Sequence, residues 1–300
     1  MYHLATIFPR IKKIQFPLSR DLIMLFMVAV NELLLGFETY SAHIISGTIV
    51  FREWIPIIVG PVSGLLLIIT SLLLMKKKQA GVYMGITTLL ISLIVGFLGA
   101  FYHISRAVLF SAPAGQQVSV PLLIWAPPVI APLTFCLLSL LGMVAIFKES
   151  PIDSGILQIS AKRTFHMPIS KTRFFLIMAG MGILATVISS VLDHARTDFS
   201  NPWLWFPTAV GIFSCITAMG AGFLKSPNRG DLFTFAIAML LMILTGLIGL
   251  ILHIQFDLAP RGVFILERFI RGAPPLAPML FADMGALGLI ALLNPADQKE

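Results

Sequence analysis

The chain has 300 residues, of which 57% are hydrophobic and 12% are charged, and its mean hydropathy is +0.93. Soluble globular domains carry about a quarter charged residues, so this composition excludes a soluble enzyme and predicts a protein that crosses a membrane several times. The formal net charge is +7. Because basic loops attract anionic headgroups, this excess is consistent with the lipid bilayer as partner and requires no nucleic acid.

Eight apolar segments follow one another along the chain, each near the roughly 20 residues that a helix needs to cross the hydrocarbon core. They lie at about 22–45, 55–75, 81–104, 121–147, 174–195, 204–224, 232–254 and 273–293. These segments predict an all-α integral membrane protein with eight transmembrane helices. The first segment is longer than the apolar region of a secretory signal and contains Glu32 and Glu38, so we count it as a transmembrane helix.

The basic residues predict the orientation of these helices, because cytoplasmic loops retain Lys and Arg. With the N-terminus inside, fifteen of the 21 Lys and Arg residues face the cytoplasm, and the other six, all Arg, face outward. We therefore predict that both termini are cytoplasmic (N-in/C-in). The expected location is the plasma membrane of a bacterium or an archaeon.

A sparse pattern of His, Trp, Gly and Pro occurs twice, about half the chain apart. The first copy contains His43, Trp54, Gly96, Gly99, His103 and Ala126-Pro127-Pro128, and the second contains His194, Trp205, Gly246, Gly249, His253 and Ala273-Pro274-Pro275. The spacing from His to Trp is eleven residues in both copies, and that from Gly to His is seven. We predict two tandem four-helix repeats in the same orientation, at 1–147 and 174–300, joined by a cytoplasmic linker at 148–173.

The four repeated histidines are the candidate ligands of a cofactor. His43 and His194 close the first helix of each repeat, and His103 and His253 close the third. Since all four helices run outward, the imidazoles are expected near the extracytoplasmic surface. Helix bundles build haem and metal sites from side chains on facing helices, so one pair in each repeat is a candidate site for haem b or a transition metal such as Cu, Fe or Zn. The alternative is that each histidine caps a helix C-terminus.

Charged residues accompany these histidines. Asp193 is adjacent to one histidine, and Asp257 follows another by four residues. Either carboxylate is a candidate metal ligand or an acceptor that orients an imidazole ring. Arg106 and Arg196 are candidate partners for haem propionates. As an alternative, both arginines extend from the interface to water.

Two further features suggest a route into the membrane. Glu32 and Asp283 lie near the middle of the first and eighth helices, where ionisable groups are costly and often functional, so they are candidates for a proton or substrate path or for contact with a quinone. The alternative is that each acid is a protonated carboxyl that is hydrogen-bonded to a neighbouring helix. The Pro-rich stretches 121–132 and 271–278 form either an extracytoplasmic vestibule or simple helix starts.

Three classes of function remain open at this point. The first is a redox subunit that exchanges electrons with a quinone or an extracytoplasmic electron-transfer protein. The second is a permease for a metal ion or small solute, and the third is a non-catalytic subunit or assembly factor of a larger membrane complex. The chain contains no phosphate-binding loop or hydrolase motif. The sequence leaves open whether the protein is an enzyme.

Overall fold

The computed structural model describes residues 3–9, 17–45, 47–160, 162–258, 262 and 264–293. Helices make up 75% of the structure, and six of those described are long and apolar enough to cross a membrane. The predicted helical fold is therefore confirmed, and the six helices are consistent with an all-α membrane protein.

Eleven α-helices run through the described residues. They are α1 (His3–Ile7), α2 (Arg20–Ile45), α3 (Trp54–Met75), α4 (Gln79–Ala107), α5 (Val120–Trp125), α6 (Ile130–Ile146), α7 (Lys171–Ala195), α8 (Trp205–Phe223), α9 (Arg229–Leu258), α10 (Leu266–Arg271) and α11 (Leu276–Ala291). The six long helices are α2, α3, α4, α7, α8 and α9, whereas α6 and α11 have 17 and 16 residues.

Prolines account for the two shorter helices. The structure divides the segment predicted as one helix at 121–147 into α5 and α6, and Pro127 and Pro128 lie in the break. Proline has no backbone N–H and disfavours a helical conformation in the residue before it, so a helix cannot run straight through this pair. The eighth segment begins at Leu276, after Pro274 and Pro275, for the same reason.

The stretch between α6 and α7, expected to be a polar linker, contains a small antiparallel sheet that the sequence analysis missed. Its strands are β1 (Lys148–Glu149), β2 (Ile156–Ser160) and β3 (Arg163–His166), in that order. Leu157 of β2 is 3% exposed and anchors the sheet. The carboxylate of Glu149 accepts hydrogen bonds from the N–H groups of Asp153 and Gly155 in the turn before β2.

The six long helices and the shorter α6 and α11 form two rings of four. In the first ring α2 packs on α3, α3 on α4, α4 on α6 and α6 on α2; in the second, α7, α8, α9 and α11 pack in the same cyclic order. The helices that carry the repeated histidines, α2 with α4 and α7 with α9, are therefore diagonal pairs. The rings meet where α6 packs on α7 and α11 packs on α2, and the short helices α5 and α10 reach across to α7 and α2.

A buried charged network joins the starts of α2 and α7. Lys171 is fully buried and donates to the Asp21 carboxylate over 2.6 Å, and the same carboxylate accepts from Arg20 over 3.0 Å. Arg20 is 1% exposed and also donates to Thr172 over 2.6 Å. Since buried charges need partners, these contacts hold the two rings together at this end of the molecule.

Candidate cofactor site at the helix ends

His43 and His103 lie side by side at one end of the first ring. Their ring centroids are 6.3 Å apart, and the ring planes are inclined at 58°. They come from the diagonal helices α2 and α4, in the last turns of both. The structure thus brings together the first of the two predicted histidine pairs.

Hydrogen bonds to backbone carbonyls orient both rings. Nδ1 of His43 lies 2.8 Å from the Thr39 carbonyl oxygen, and Nδ1 of His103 lies 2.8 Å from that of Pro128. Because a carbonyl oxygen only accepts, Nδ1 carries the hydrogen in each ring, and Nε2 of a neutral ring is then the nitrogen with a lone pair. Ligating histidines are commonly held in this tautomer.

The second pair is arranged more loosely. His194 and His253 interact electrostatically, but the His194 ring packs edge-on against Phe199, with centroids 6.2 Å apart. Phe199 in turn stacks on Trp205 at 4.1 Å. Among the residues that the structure describes, only the first pair has its two imidazole rings in contact.

Equivalent contacts recur in the two rings where α4 meets α6 and where α9 meets α11. They are the hydrogen bonds from His103 to Pro128 and from His253 to Pro274 (2.9 Å), and the close packing of Gly99 on Pro132 and of Gly249 on Pro278. In both rings a histidine donates a hydrogen bond to a proline carbonyl at the start of the fourth helix. These two histidines therefore have a structural role whether or not they bind a cofactor.

Asp257 also contacts the second break. Its side chain is buried, with the residue 2% exposed, and its Oδ1 accepts the N–H of Ala273 over 3.0 Å. The equivalent residue of the first ring is Ala107, also 2% exposed, and the residue equivalent to Ala273 is Pro127, which has no N–H to satisfy. The acid thus occurs in the ring that has a donor for its Oδ1, while its Oδ2 is buried without a hydrogen-bond partner among the described residues.

Asp193 and the two arginines lie at the same end of the molecule. Asp193 is exposed, pairs with Arg196 at 3.7 Å, and interacts electrostatically with Glu38 on α2. Arg106 has a side chain 53% exposed and lies 4.0 Å from the Glu53 carboxylate. Both arginines are therefore placed at an accessible surface beside the histidines.

The role of α5 at this site was not predicted from the sequence. Arg196 of α7 donates to the Ile124 carbonyl of α5 over 3.1 Å, and its guanidinium lies 5.9 Å from the Trp125 ring. A small open cleft beside this contact is lined by Pro128, Ser189 and Asp193, among others. The cleft lies in the predicted vestibule region.

The two deeper acids lie in different environments. Glu32 is fully buried inside the first ring and accepts a hydrogen bond from Ser92 of α4 over 3.2 Å. Asp283 lies where α11 meets α2, and its carboxylate accepts from Asn31 over 2.9 Å. Glu32 and Asp283 thus do not share one hydrogen-bonded site. Asn31, which donates to Asp283, immediately precedes Glu32 on α2.

Within the described ranges, no three His, Cys, Asp or Glu side chains lie close enough to hold a metal ion. No protein-family model, curated protein or solved structure matches this chain.

Proposed function

We propose that this protein is a redox membrane subunit that binds haem b between His43 and His103. The observation that carries the proposal is the geometry of this pair. An iron ion bound by one nitrogen of each imidazole, at a metal–nitrogen distance of about 2 Å, places the ring centroids roughly 6 Å apart, close to the observed 6.3 Å. The diagonal helices α2 and α4 face each other across a bundle interior, where such cofactors are held.

The number of donors favours haem over a bare Cu, Fe or Zn ion. Zinc sites commonly take three or four ligands from the protein, whereas haem brings its own ring of nitrogens and needs only axial ligands. Two histidines with carbonyl-bonded Nδ1 atoms meet that need. When bound, the haem would supply one-electron chemistry, and the chain would orient the ligands and set the polarity around them.

The charged residues beside the pair fit a haem near a membrane surface. Arg106 is half-exposed and lies three residues beyond His103, where its guanidinium can pair with a propionate. In the second ring, Arg196 lies two residues beyond His194, the histidine equivalent to His43. An accessible edge of this kind would allow electrons to pass to a quinone or to an extracytoplasmic partner protein.

The proposal includes eight membrane crossings, with α6 and α11 as the two short ones. It also includes two tandem repeats, at 1–147 and 174–300, and an N-in/C-in orientation in a bacterial or archaeal plasma membrane. Support for the duplication comes from the cyclic packing of both rings and from the paired His–Pro and Gly–Pro contacts. Helix starts at Trp54 and Trp205 occur at matching places, as expected for interfacial tryptophans.

A permease is the second candidate function, and the Asn31–Asp283 pair favours it. This pair lies between the two rings, and transporters built from repeats bind their substrates near the midplane at the repeat interface. Uptake of a small cation into vesicles, lost in Asp283→Asn and kept in His103→Ala, would support this candidate.

The test of the haem proposal is an absorption spectrum of the detergent-purified protein, from cells supplied with haem and iron. We expect a reduced-minus-oxidised haem b signal in the wild type that disappears in His43→Ala and His103→Ala. His166→Ala is the matched control, because His166 lies on the exposed strand β3, outside both rings. A colourless wild type, or a signal that survives both substitutions, would overturn the proposal.

A further inference from the structure

The first ring contains a layer of polar side chains that is closed off from the surface. Each helix contributes one member: Glu32 from α2, Ser63 from α3, Ser92 from α4 and Ser139 from α6. Glu32, Ser92 and Ser139 are 0% exposed and Ser63 is 3% exposed. Ser92 lies 3.2 Å from a Glu32 oxygen and 3.0 Å from the Ser63 hydroxyl, so three members form one hydrogen-bonded chain.

Helix register places Ser139 at the same level. Gly142 of α6 packs against Val28 of α2 and Leu89 of α4, which marks one level of the bundle. Glu32 lies one turn beyond Val28, and Ser92 lies one turn beyond Leu89. α6 runs antiparallel to α4, because Ile146 packs on Gly85 and Cys136 packs on Gly96. One turn from Gly142 toward the level of Glu32 and Ser92 therefore leads along α6 to Ser139.

Two atoms of this layer are buried and have no hydrogen-bond partner within the described part of the chain. They are Oε1 of Glu32 and the hydroxyl oxygen of Ser139. Buried polar atoms are nearly always paired, so such atoms call for an explanation. Glu32 and Ser139 can therefore each form a further hydrogen bond.

Among the described residues, the helices packed around Glu32 place no compensating charge beside it. Neither α3 nor α6 contains a charged residue, and the only one in α4 is Arg106, fourteen residues beyond Ser92. On α11, Asp283 is held by Asn31 on another face of α2. Cys136 of α6 donates to the Leu93 carbonyl over 3.6 Å, one turn nearer the histidines.

The second ring lacks this layer. Its equivalent residues are Ile183, Ser214, Met242 and Gly285, of which the remaining serine donates to the Ala238 carbonyl over 3.1 Å. The same packing is therefore achieved without an acid. Because an apolar core suffices there, the polar layer of the first ring is not needed to hold four helices together, and a buried carboxyl within a membrane is expensive to keep.

We propose that this layer is a proton-binding site, in which Glu32 takes up and releases one proton. An ionised carboxylate that is desolvated and has one hydroxyl donor is costly, so the neutral acid is the resting form. When the proton leaves to water, Ser92 continues to donate to one carboxylate oxygen, and the Ser139 hydroxyl supplies a second donor. The site is eleven residues, about 16 Å along α2, from His43, and does not depend on haem.

Infrared difference spectroscopy of the purified protein in lipid tests this site, because the C=O stretch of a protonated carboxyl is separate from that of a carboxylate and shifts in heavy water. Spectra are recorded across reversible pH steps. We expect a band that titrates with pH, is lost in Glu32→Gln and persists in Asp283→Asn. Ser92→Ala removes a hydrogen bond to the acid and is expected to shift the band and its midpoint.

Three results would overturn the proposal. The first is the absence of a band assignable to Glu32, and the second is a band that stays constant at every pH. The third is a band that sodium chloride abolishes and potassium chloride does not, because that result would identify a sodium site. The His103→Ala protein is expected to keep the band. Loss of the haem signal and loss of the Glu32 band are thus separate outcomes, and the two proposals fail independently.

Discussion

Replacement of Asp257 tests whether the acid near His253 is structural. Asp257→Ala removes the acceptor of the Ala273 N–H, and Asp257→Asn keeps an oxygen at the same place. The side chain is buried, and Gly272 approaches it so closely that a Cβ there would lie 2.2 Å from Oδ1. Water therefore has little room to replace the lost partner.

The expected loss of stability in Asp257→Ala follows from the hydrogen bond that is removed. Leaving a buried backbone N–H without a partner costs about 1–3 kcal/mol. At roughly 2–4 °C per kcal/mol for a chain of this size class, we expect Asp257→Ala to lower the apparent Tm by about 2–12 °C. Asp257→Asn should remain within about 2 °C of wild type, because the N–H···O bond is kept.

Thermal unfolding in detergent, followed by tryptophan fluorescence, is the assay. The matched variant is Ala107→Asp, which places the same acid at the equivalent position of the first ring, next to a proline that has no N–H to offer. We expect that variant to be destabilised, since a buried carboxyl gains no donor. Equal Tm values for Asp257→Ala and wild type, or metal bound by wild type and lost in Asp257→Asn, would refute this reasoning.

The packing of the rings leads to two further predictions. Gly246→Ala should lower the Tm markedly, because the new Cβ would lie 2.5 Å from the Ala282 backbone nitrogen. Gly220→Ala is the control: a Cβ there has nothing within 4 Å, so the Tm should stay unchanged or rise. Equal losses of Tm in the two variants would contradict the close approach at Gly246. Lys171→Met should lower the stability by about 1.5–3 kcal/mol in a urea or thermal titration, because it removes one charged donor to Asp21 while Arg20 still pairs with that carboxylate. Adding Asp21→Asn should cost more, because it leaves Arg20 buried without a counter-charge; a double variant as stable as Lys171→Met would contradict the pairing.

Much of the helical framework follows from apolar segment length, because a membrane-spanning helix must satisfy its own backbone and be about as long as the bilayer is thick. The starts of α3 and α8 at Trp54 and Trp205 were within a residue or two of prediction. The sheet at 148–166 was missed because its strands have two to five residues and alternate only weakly. Such short strands depend on their turns and neighbours more than on their own composition.

The candidate site was predictable in part. Repetition identified the four histidines, and helix direction predicted that His43 and His103 would lie at one end of the bundle. The distinction between the two pairs was not predictable, because it depends on how Phe199 packs beside His194. Likewise, Ser63 and Ser139 carry no signal in one sequence, since a serine in an apolar helix is common and only helix register places it beside an acid.

The most direct test of the central claim is the electron paramagnetic resonance spectrum of the oxidised protein. Iron between two imidazoles gives a low-spin ferric haem signal, and we expect this signal in wild type and in His194→Ala. Removing one axial ligand, in His43→Ala or His103→Ala, should convert it to a high-spin signal or abolish it. A wild-type protein without haem, or a low-spin signal unchanged in both variants, would contradict haem ligation by this pair.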